Sequence, residues 1–560
     1  MGDLTKLAPP ADLSETERDT IFYHIYRRLA GHRHTADLYA QAELTENSPA
    51  LNEDANSTRD EFLQQIDDWG QSLLMATWAA CGEPGGGQCP TLEPLSDSSV
   101  GDLPPLPSRI AMERTISMIL FLHIATTKQY SARTRAFLSL FASLDEDNVV
   151  ATLKNPDSSM KEAEQQVKDT QEKHAERGKT FRMAGMGLSA VAGGVLVGVT
   201  GGLAAPLVGA GVSAIFGIFG VGGTAIGLLA SGLASSSVIC GALFGAYGAK
   251  HTAEMVGRHT REIRDLAIVP VHPSKETLAL RLCISGWLSV PEDVTAPWTV
   301  FEGDDTYALQ WEVQALTELS NALSTLIKAQ AMQYVKAEII KHTVLASLMS
   351  SLAPIAWLKI GKIVDNPWMN SRALALKAGA VLADLLSERA FGTRPITLTG
   401  YSLGSLVIFE ALRCLSELPP AQTVHLVQDV FLFGAPIAPD AGAWTAVRRV
   451  VAGRLVNGYG ADDYVLAVLC RMSDASWNVA GISPVQVKGV ENVECSGVDG
   501  HLKWRGMVGE CLLACEAPGV SSSEVEKQRE IARVIAKEMK MDGKQVEKVI
   551  REGPVGSQSP

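Results

Sequence analysis

Two hydrophobic patterns alternate in the C-terminal half of the chain. Short apolar runs, typical of buried strands, begin at Leu280, Ile396 and Leu455, and apolar residues at helical spacing follow, as over 405–415. Strands that alternate with helices form a mostly parallel sheet flanked by helices. The pattern therefore predicts an α/β domain, to which we assign residues 265–518.

The regions outside this domain have a helical pattern. Residues 1–160 contain three stretches with apolar residues at helical spacing, interrupted by Gly, Pro and Ser over 82–107. We expect a helical N-terminal region over 1–160 and a highly charged juxtamembrane or coiled-coil helix over 161–182. Residues 519–560 are predicted to form a charged helical, flexible tail.

A long apolar segment separates these regions. Residues 183–249 number 67, include 18 glycines and contain no charged side chain. Two or three membrane spans of about 20 residues would fit this length. Gly194, Gly198 and Gly202 recur at the small-residue spacing that lets two helices pack closely in lipid. We predict a transmembrane hairpin, with a Gly/Ala-rich soluble core as the alternative.

Basic residues flank the apolar segment on both sides. Arg177 and Arg182 precede it, and Lys250 and Arg258 follow it. Since positive charge marks the cytoplasmic side, both flanks are expected there, and the number of spans should be even. The start, MGDLTKLAPP, lacks the apolar region of a signal peptide. We therefore expect a multi-pass protein of an intracellular membrane with both termini in the cytoplasm.

The candidate chemistry lies in RPITLTGYSLGSLVIFEAL, residues 394–412. A chain with 50 glycines can contain G-x-S-x-G by chance, but here a predicted strand runs directly into a predicted helix through the motif. This arrangement is the nucleophile elbow, in which Gly400 and Gly404 let strand and helix approach closely. Ser402 is the candidate nucleophile. The N–H of Leu403, at the helix N-terminus, is a candidate donor to an oxyanion.

A serine nucleophile needs a base, and two histidines follow Ser402 in the chain. His425 precedes a predicted strand and so belongs at the wrong end of the sheet. His501, in VDGHLKW, lies in the loop after the last predicted strand. Because sites in α/β sheets form at the carboxyl ends of strands, His501 is the candidate base, against the alternative of an ordinary loop histidine.

The acid that orients the histidine should lie between the serine and the histidine, in the order of α/β-hydrolases. The stretch RLVNGYGADDYVL, residues 454–466, supplies it after a predicted strand. We select Asp463 and keep Asp462 and Asp440 as alternatives. A purely structural interpretation of Asp463 is that it caps the helix beginning at DYVLAVL.

A second oxyanion donor should come from the loop after an earlier strand. The strand predicted over Leu280–Ser285 is followed by Gly286 and Trp287. The backbone N–H of Trp287 or of Gly286 is our candidate, and a structural Gly-Trp turn is the alternative.

Composition narrows the possible ligands. The net charge is −13, which does not fit the basic footprint of a nucleic-acid-binding protein. The nine cysteines are scattered, without a paired C-x-x-C motif, and fit the reduced thiols of an intracellular protein. We expect no metal and no cofactor.

Several segments, in the same order, resemble a known family. They are the charge-free Gly-rich segment, SGWL, KIVDNPWMNSRALALKAG, RPITLTGYSLGS, FLFGAPI, NGYGADDYVLA and DGHLKW. They are similar to the transmembrane and coiled-coil domain-containing protein 4 family over about residues 160–515. The resemblance implies a C-terminal α/β-hydrolase domain with Ser402 as nucleophile, Asp463 as acid and His501 as base.

The combined hypothesis is a membrane-anchored serine hydrolase that acts on an ester through an acyl-enzyme. Membrane lipids are the expected surroundings, and a lipid ester is the natural candidate substrate. The alternative is a non-catalytic membrane scaffold or trafficking protein that retains a hydrolase-like fold, since a fold does not establish a function.

Overall fold

The structure is a computed structural model that describes residues 9–10, 12–46, 52–155, 228, 231–232, 234–244, 263, 265–328, 354–474, 478–498 and 500–530. The chain forms two compact units. The helical unit comprises Met1–Leu38, Asp60–Ala246 and Gly392–Arg394, and the α/β unit comprises Tyr39–Arg59, Tyr247–Phe391 and Pro395–Pro560.

Six helices begin the described chain. They are α1 (Glu15–Glu46), α2 (Asn52–Ala80), α3 (Arg109–Thr127), α4 (Ala132–Leu138), α5 (Glu146–Lys154) and α6 (Ser236–Phe244). Side-chain oxygens of Ser108, Ser131 and Asp145 accept backbone N–H bonds at the starts of α3, α4 and α5. These caps satisfy donors that a helix start leaves without a partner, which fixes where the three helices begin.

Helix α3 is the most apolar long helix described in the helical unit, and most of its residues are buried. It is the one described helix long and apolar enough to cross a membrane, and 72% of its most apolar 18-residue window is buried inside the protein. The predicted hairpin at residues 183–249 lies outside the described residues, apart from α6 and a few residues just before it. In that described part, α6 packs against α3 and α5.

A seven-stranded sheet forms the core of the α/β unit. Its strands are β1 (Leu266–Pro270), β2 (Leu280–Ile284), β3 (Asp305–Trp311), β4 (Ile396–Tyr401), β5 (Val427–Phe433), β6 (Leu455–Tyr459) and β7 (Val490–Glu494). They lie in the order β1-β3-β2-β4-β5-β6-β7. Strand β1 is antiparallel to β3, and the other pairs are parallel. The prediction of an α/β architecture with a mostly parallel sheet is confirmed.

The central strands explain the sequence pattern. Strands β2, β4 and β5 are buried at every residue, as expected where helices cover a parallel sheet. The edge strands β1 and β7 are partly exposed.

Seven further helices lie between and after the strands in the described part of this unit. They are α7 (Val313–Lys328), α8 (Pro354–Ser387), α9 (Leu403–Glu417), α10 (Pro420–Thr423), α11 (Ala441–Val450), α12 (Tyr464–Asp474) and α13 (Trp504–Ala514).

Two segments from outside the predicted hydrolase boundaries pack within the α/β unit. In the last turns of α1, Glu43 accepts a hydrogen bond from Arg449 Nε at 2.5 Å. At the other end, residues 522–530 are helical, and Gln528 bonds the backbone of Gly509 and of Pro297. The part of the predicted flexible tail that the structure describes is thus held in place by specific contacts.

Candidate active site

Ser402 lies in the turn between β4 and α9 with an unusual backbone conformation. Its φ is 54° and its ψ is −127°. A positive φ is strained for a residue with a side chain and persists only where surrounding contacts enforce it. The N–H of Ser402 donates to Phe433 O at 2.8 Å. The Ser405 hydroxyl donates to Gly400 O at 2.8 Å and accepts from Phe433 N at 3.1 Å, which ties the turn to β5.

Three glycines allow the backbone to crowd around this turn. A Cβ on Gly404 would lie 2.1 Å from Ile284 O, and one on Gly400 would lie 2.8 Å from Ile408 Cδ1. A Cβ on Gly286 would lie 2.7 Å from Ser402 Cβ. Real Cβ atoms do not approach other atoms this closely, so the loop after β2 contacts the Ser402 turn only because Gly286 has no side chain.

The predicted serine, histidine and aspartate form a continuous hydrogen-bonded chain. Ser402 Oγ lies 2.5 Å from His501 Nε2, and His501 Nδ1 lies 2.7 Å from Asp463 Oδ2. The carboxylate accepts the Nδ1 proton, which leaves Nε2 of a neutral imidazole free to accept the serine proton. Ser402 is 1% exposed, and the other two side chains are fully buried.

Of the three candidate acids, the structure brings only Asp463 to His501. Asp462 is exposed, and Asp440 caps α11 by accepting from Ala443 N at 2.8 Å. Asp463 is also a helix cap, because its Oδ1 accepts from Leu466 N at 3.1 Å. Asp463 therefore has both contacts that the sequence suggested as alternatives: Oδ2 bonds His501, and Oδ1 caps the helix.

Trp504 is a member of the site that the sequence reasoning missed. Its indole Nε1 donates to Asp463 Oδ2 at 2.9 Å, the oxygen that also bonds His501. The ring is fully buried beside Phe433 and lies against Gly434, where a Cβ would be 2.4 Å from Nε1. The available signal was the tryptophan three positions after the histidine in DGHLKW.

The predicted oxyanion residues lie beside Ser402. Leu403 is the first residue of α9, and a Cβ on Gly286 would lie 2.5 Å from Leu403 N, so the two backbones are in contact. In the part of the chain that the structure describes, the backbone N–H groups of Gly286, Trp287 and Leu403 have no hydrogen-bond acceptor. Free donors at this place are the groups that an oxyanion needs.

His425, the other histidine that follows Ser402 in the chain, does not lie at the carboxyl ends of the strands. His425 lies two residues before β5, at the amino end of that strand, whereas Ser402, Asp463 and His501 follow carboxyl ends. Across the described ranges, no group of three or more His, Cys, Asp or Glu side chains is arranged to hold a metal ion.

Comparison with known proteins identifies the family. A family model with the description "Protein of unknown function (DUF726)" matches residues 178–516, more than half of the chain. The chain belongs to the DUF726 family. No solved structure matches the chain.

Three curated proteins are similar to this chain over more than half of its length. A membrane protein of Schizosaccharomyces pombe, named "Uncharacterized membrane protein C6F6.13c", is 38% identical over 60% of this chain and 59% of its own. The rice protein named "Transmembrane and coiled-coil domain-containing protein STS1" is 34% identical over 56% of this chain and 49% of its own. The yeast protein "Probable lipase MIL1" is 36% identical over 55% of this chain and 28% of its own.

These names bear on the resemblance found in the sequence. The transmembrane and coiled-coil family assignment is confirmed by the family match and by the name of the rice relative. The chain spans less than two thirds of the length of each of the three relatives.

The contact between Trp504 and Asp463 predicts a stability difference between two Trp→Phe variants. Trp504→Phe removes a hydrogen bond to a carboxylate, which contributes about 1.5–3 kcal/mol, whereas a neutral bond contributes about 0.5–1.5 kcal/mol. Trp444→Phe is the matched control, because buried Trp444 donates to the neutral carbonyl of Ala438 at 3.0 Å. In thermal unfolding followed by circular dichroism, we expect Trp504→Phe to be the less stable variant by about 1 kcal/mol. An equal decrease in the free energy of unfolding of the two variants would show that the bond to Asp463 stabilises the protein no more than a neutral hydrogen bond does.

Proposed function

We propose that this protein is a serine hydrolase with an α/β-hydrolase fold. The observation that carries the proposal is the Ser402–His501–Asp463 chain, with distances of 2.5 Å and 2.7 Å. The strained serine between a strand and a helix, the donor loop after another strand and the chain order Ser, Asp, His all support it. A scaffold would need none of these features together.

The geometry supports acyl transfer through a covalent intermediate. His501 Nε2 takes the proton of Ser402 as Oγ attacks the carbonyl carbon of an ester. The N–H of Leu403, with that of Trp287 or Gly286, donates to the oxygen that becomes negative. His501 then gives the proton to the leaving alcohol, and the acyl-enzyme forms. Water, deprotonated by His501, releases the acid and restores Ser402.

Asp463 has a positioning role in this scheme. Its Oδ2 holds the Nδ1 proton of His501, so that Nε2 stays directed at Ser402 and the imidazolium formed during the reaction is stabilised. Trp504 donates to the same oxygen and fixes the carboxylate in turn.

The substrate class that we propose is an ester with an apolar acyl chain, as in a lipid. A yeast relative that is 36% identical over 55% of this chain is named a probable lipase. The apolar surroundings of the serine turn support such a substrate, because Leu403 next to Ser402 and Trp287 next to Gly286 have buried apolar side chains. Since Ser402 is only 1% exposed, some of the side chains packed around it must move before a carbonyl group of the substrate can reach its hydroxyl.

Labelling with a fluorophosphonate tests the proposed nucleophile. The wild-type protein should form a covalent adduct, because such a probe captures a serine activated by a histidine. Ser402→Ala should not react, and Ser405→Ala should still react, because the Ser405 hydroxyl donates to the carbonyl of Gly400 rather than to a base. The readout is in-gel fluorescence of purified, folded protein. A folded wild-type protein that never reacts would favour the non-catalytic scaffold.

We further propose that the hydrolase is anchored in an intracellular membrane by a hairpin at residues 183–249. The absence of charge over these 67 residues and the basic flanks support the hairpin, and relatives are named membrane proteins. In this arrangement both termini face the cytoplasm.

Protease protection tests the orientation. Tags at both termini should be digested in sealed microsomes without detergent, and Asn56, in the sequon Asn-Ser-Thr, should stay unglycosylated because it faces the cytoplasm. An internal luminal marker protein serves as the control for sealed vesicles. Protection of both tags would reverse the orientation, and protection of one tag would show an odd number of spans.

A further inference from the structure

The loop after β2 is held by buried donors that bond its carbonyl groups. Trp311 Nε1 donates to Ser285 O at 3.1 Å, and Tyr401 Oη donates to Trp287 O at 3.0 Å. Leu288 N donates to Leu316 O at 3.5 Å. The peptides on either side of the Gly286–Trp287 peptide are therefore each fixed by at least one hydrogen bond.

The Gly286–Trp287 peptide itself lies between these fixed points. Within the described part of the chain, the N–H groups of Gly286 and Trp287 have no acceptor. In a trans peptide the C=O of one residue and the N–H of the next point in opposite directions. A donor that holds Trp287 O fixes the plane of the Trp287–Leu288 peptide. The Gly286–Trp287 peptide, with its free N–H, is joined to that plane through the two backbone dihedral angles of Trp287, so fixing one peptide limits the orientations of the other.

The side chain of Tyr401 is held in place by burial and by contacts with aromatic rings. Its side chain is fully buried, with the ring 6.0 Å from that of Trp287 and 5.8 Å from that of Trp298. Burial raises the pKa of Tyr401 well above its ordinary value, and the neighbouring Ser285 opposes this shift only in part. The hydroxyl therefore stays protonated at neutral pH.

Tyr401 also links the two parts of the site through its backbone. It directly precedes Ser402, and a Cβ on Gly286 would lie 2.2 Å from Tyr401 O. The residue thus contacts the donor loop from two sides, with its carbonyl at Gly286 and its hydroxyl at Trp287.

We propose that Tyr401 is a positioning residue, whose hydroxyl orients the Gly286–Trp287 loop so that its free N–H groups meet the oxyanion formed at Ser402. This inference rests on the proposed hydrolase function. It assigns a specific task to the residue directly before the serine in GYSLG, a position that the motif G-x-S-x-G leaves unspecified.

Tyr401→Phe tests the inference, because it removes one hydroxyl and keeps the ring. With 4-nitrophenyl butyrate as substrate, kcat per labelled serine should fall roughly 10- to 100-fold, the effect of a displaced catalytic donor, while KM changes less than about twofold. The affinity for phenylboronic acid, which forms a tetrahedral adduct with the serine, should fall by a similar factor. Tyr307→Phe is the control, since Tyr307 is a buried tyrosine of β3 that donates to Ser274 at 3.2 Å.

Four outcomes would overturn the inference. A wild-type kcat per labelled serine in Tyr401→Phe shows that the hydroxyl orients nothing, and a rise in KM with unchanged kcat shows a substrate-binding role instead. If Tyr401→Phe does not fold, Trp311→Phe removes the donor to Ser285 O and must show the same selective loss of kcat. A wild-type protein that neither hydrolyses the ester nor reacts with the fluorophosphonate rejects the proposed function and this inference with it.

Discussion

The hydrogen bond between Asp463 and His501 is the contact on which the rest of the site depends. Both side chains are fully buried, and a buried carboxylate and imidazole are costly unless they are bonded. The Asp463 oxygens accept from His501, Trp504 and Leu466 N. His501 and Trp504 lie at the start of α13, and Leu466 lies in α12, which Asp463 itself caps, so one carboxylate joins the starts of two helices. Because Asp463 holds Nδ1 of His501, the imidazole is oriented with Nε2 toward Ser402.

The sheet explains how residues far apart in the sequence meet. Ser402 follows β4 and Asp463 follows β6, with β5 between them. The gap is bridged above the end of β5, where Gly434 has no side chain and the indole of Trp504 occupies the space. On the other side, β2 is the direct neighbour of β4, which brings Gly286 against the serine turn. The order of the strands thus places His501 and Asp463 on one side of Ser402 and the loop at Gly286 on the other.

Local signals predicted more than long-range ones. The turn at Ser402 was readable because a strand, a G-x-S-x-G motif and a helix are adjacent in sequence. Asp463 and His501 follow strands in the structure, as the hydrophobic pattern predicted. The choice between Asp462 and Asp463 was open, because adjacent residues at a helix start point in different directions that only the packed structure fixes. Trp504 was missed since its role depends on contacts 41 positions apart in sequence. The contacts of Glu43 with Arg449 and of Gln528 with Pro297 join residues far apart in the sequence, and a hydrophobic pattern along the chain cannot predict such contacts.

The central claim is that Asp463 makes Ser402 reactive through His501, and the neighbouring aspartate provides the control. Asp463→Asn and Asp462→Asn are isosteric changes at adjacent positions, one buried against His501 and one exposed. The measurement is the rate of ester hydrolysis by each folded variant. We expect Asp463→Asn to lose on the order of ten-thousand-fold, as when a serine protease loses the correct histidine tautomer. Asp462→Asn should lose less than about tenfold, because its carboxylate has no contact with the site. Equal rates in the two variants, or the reverse ranking, would contradict the account.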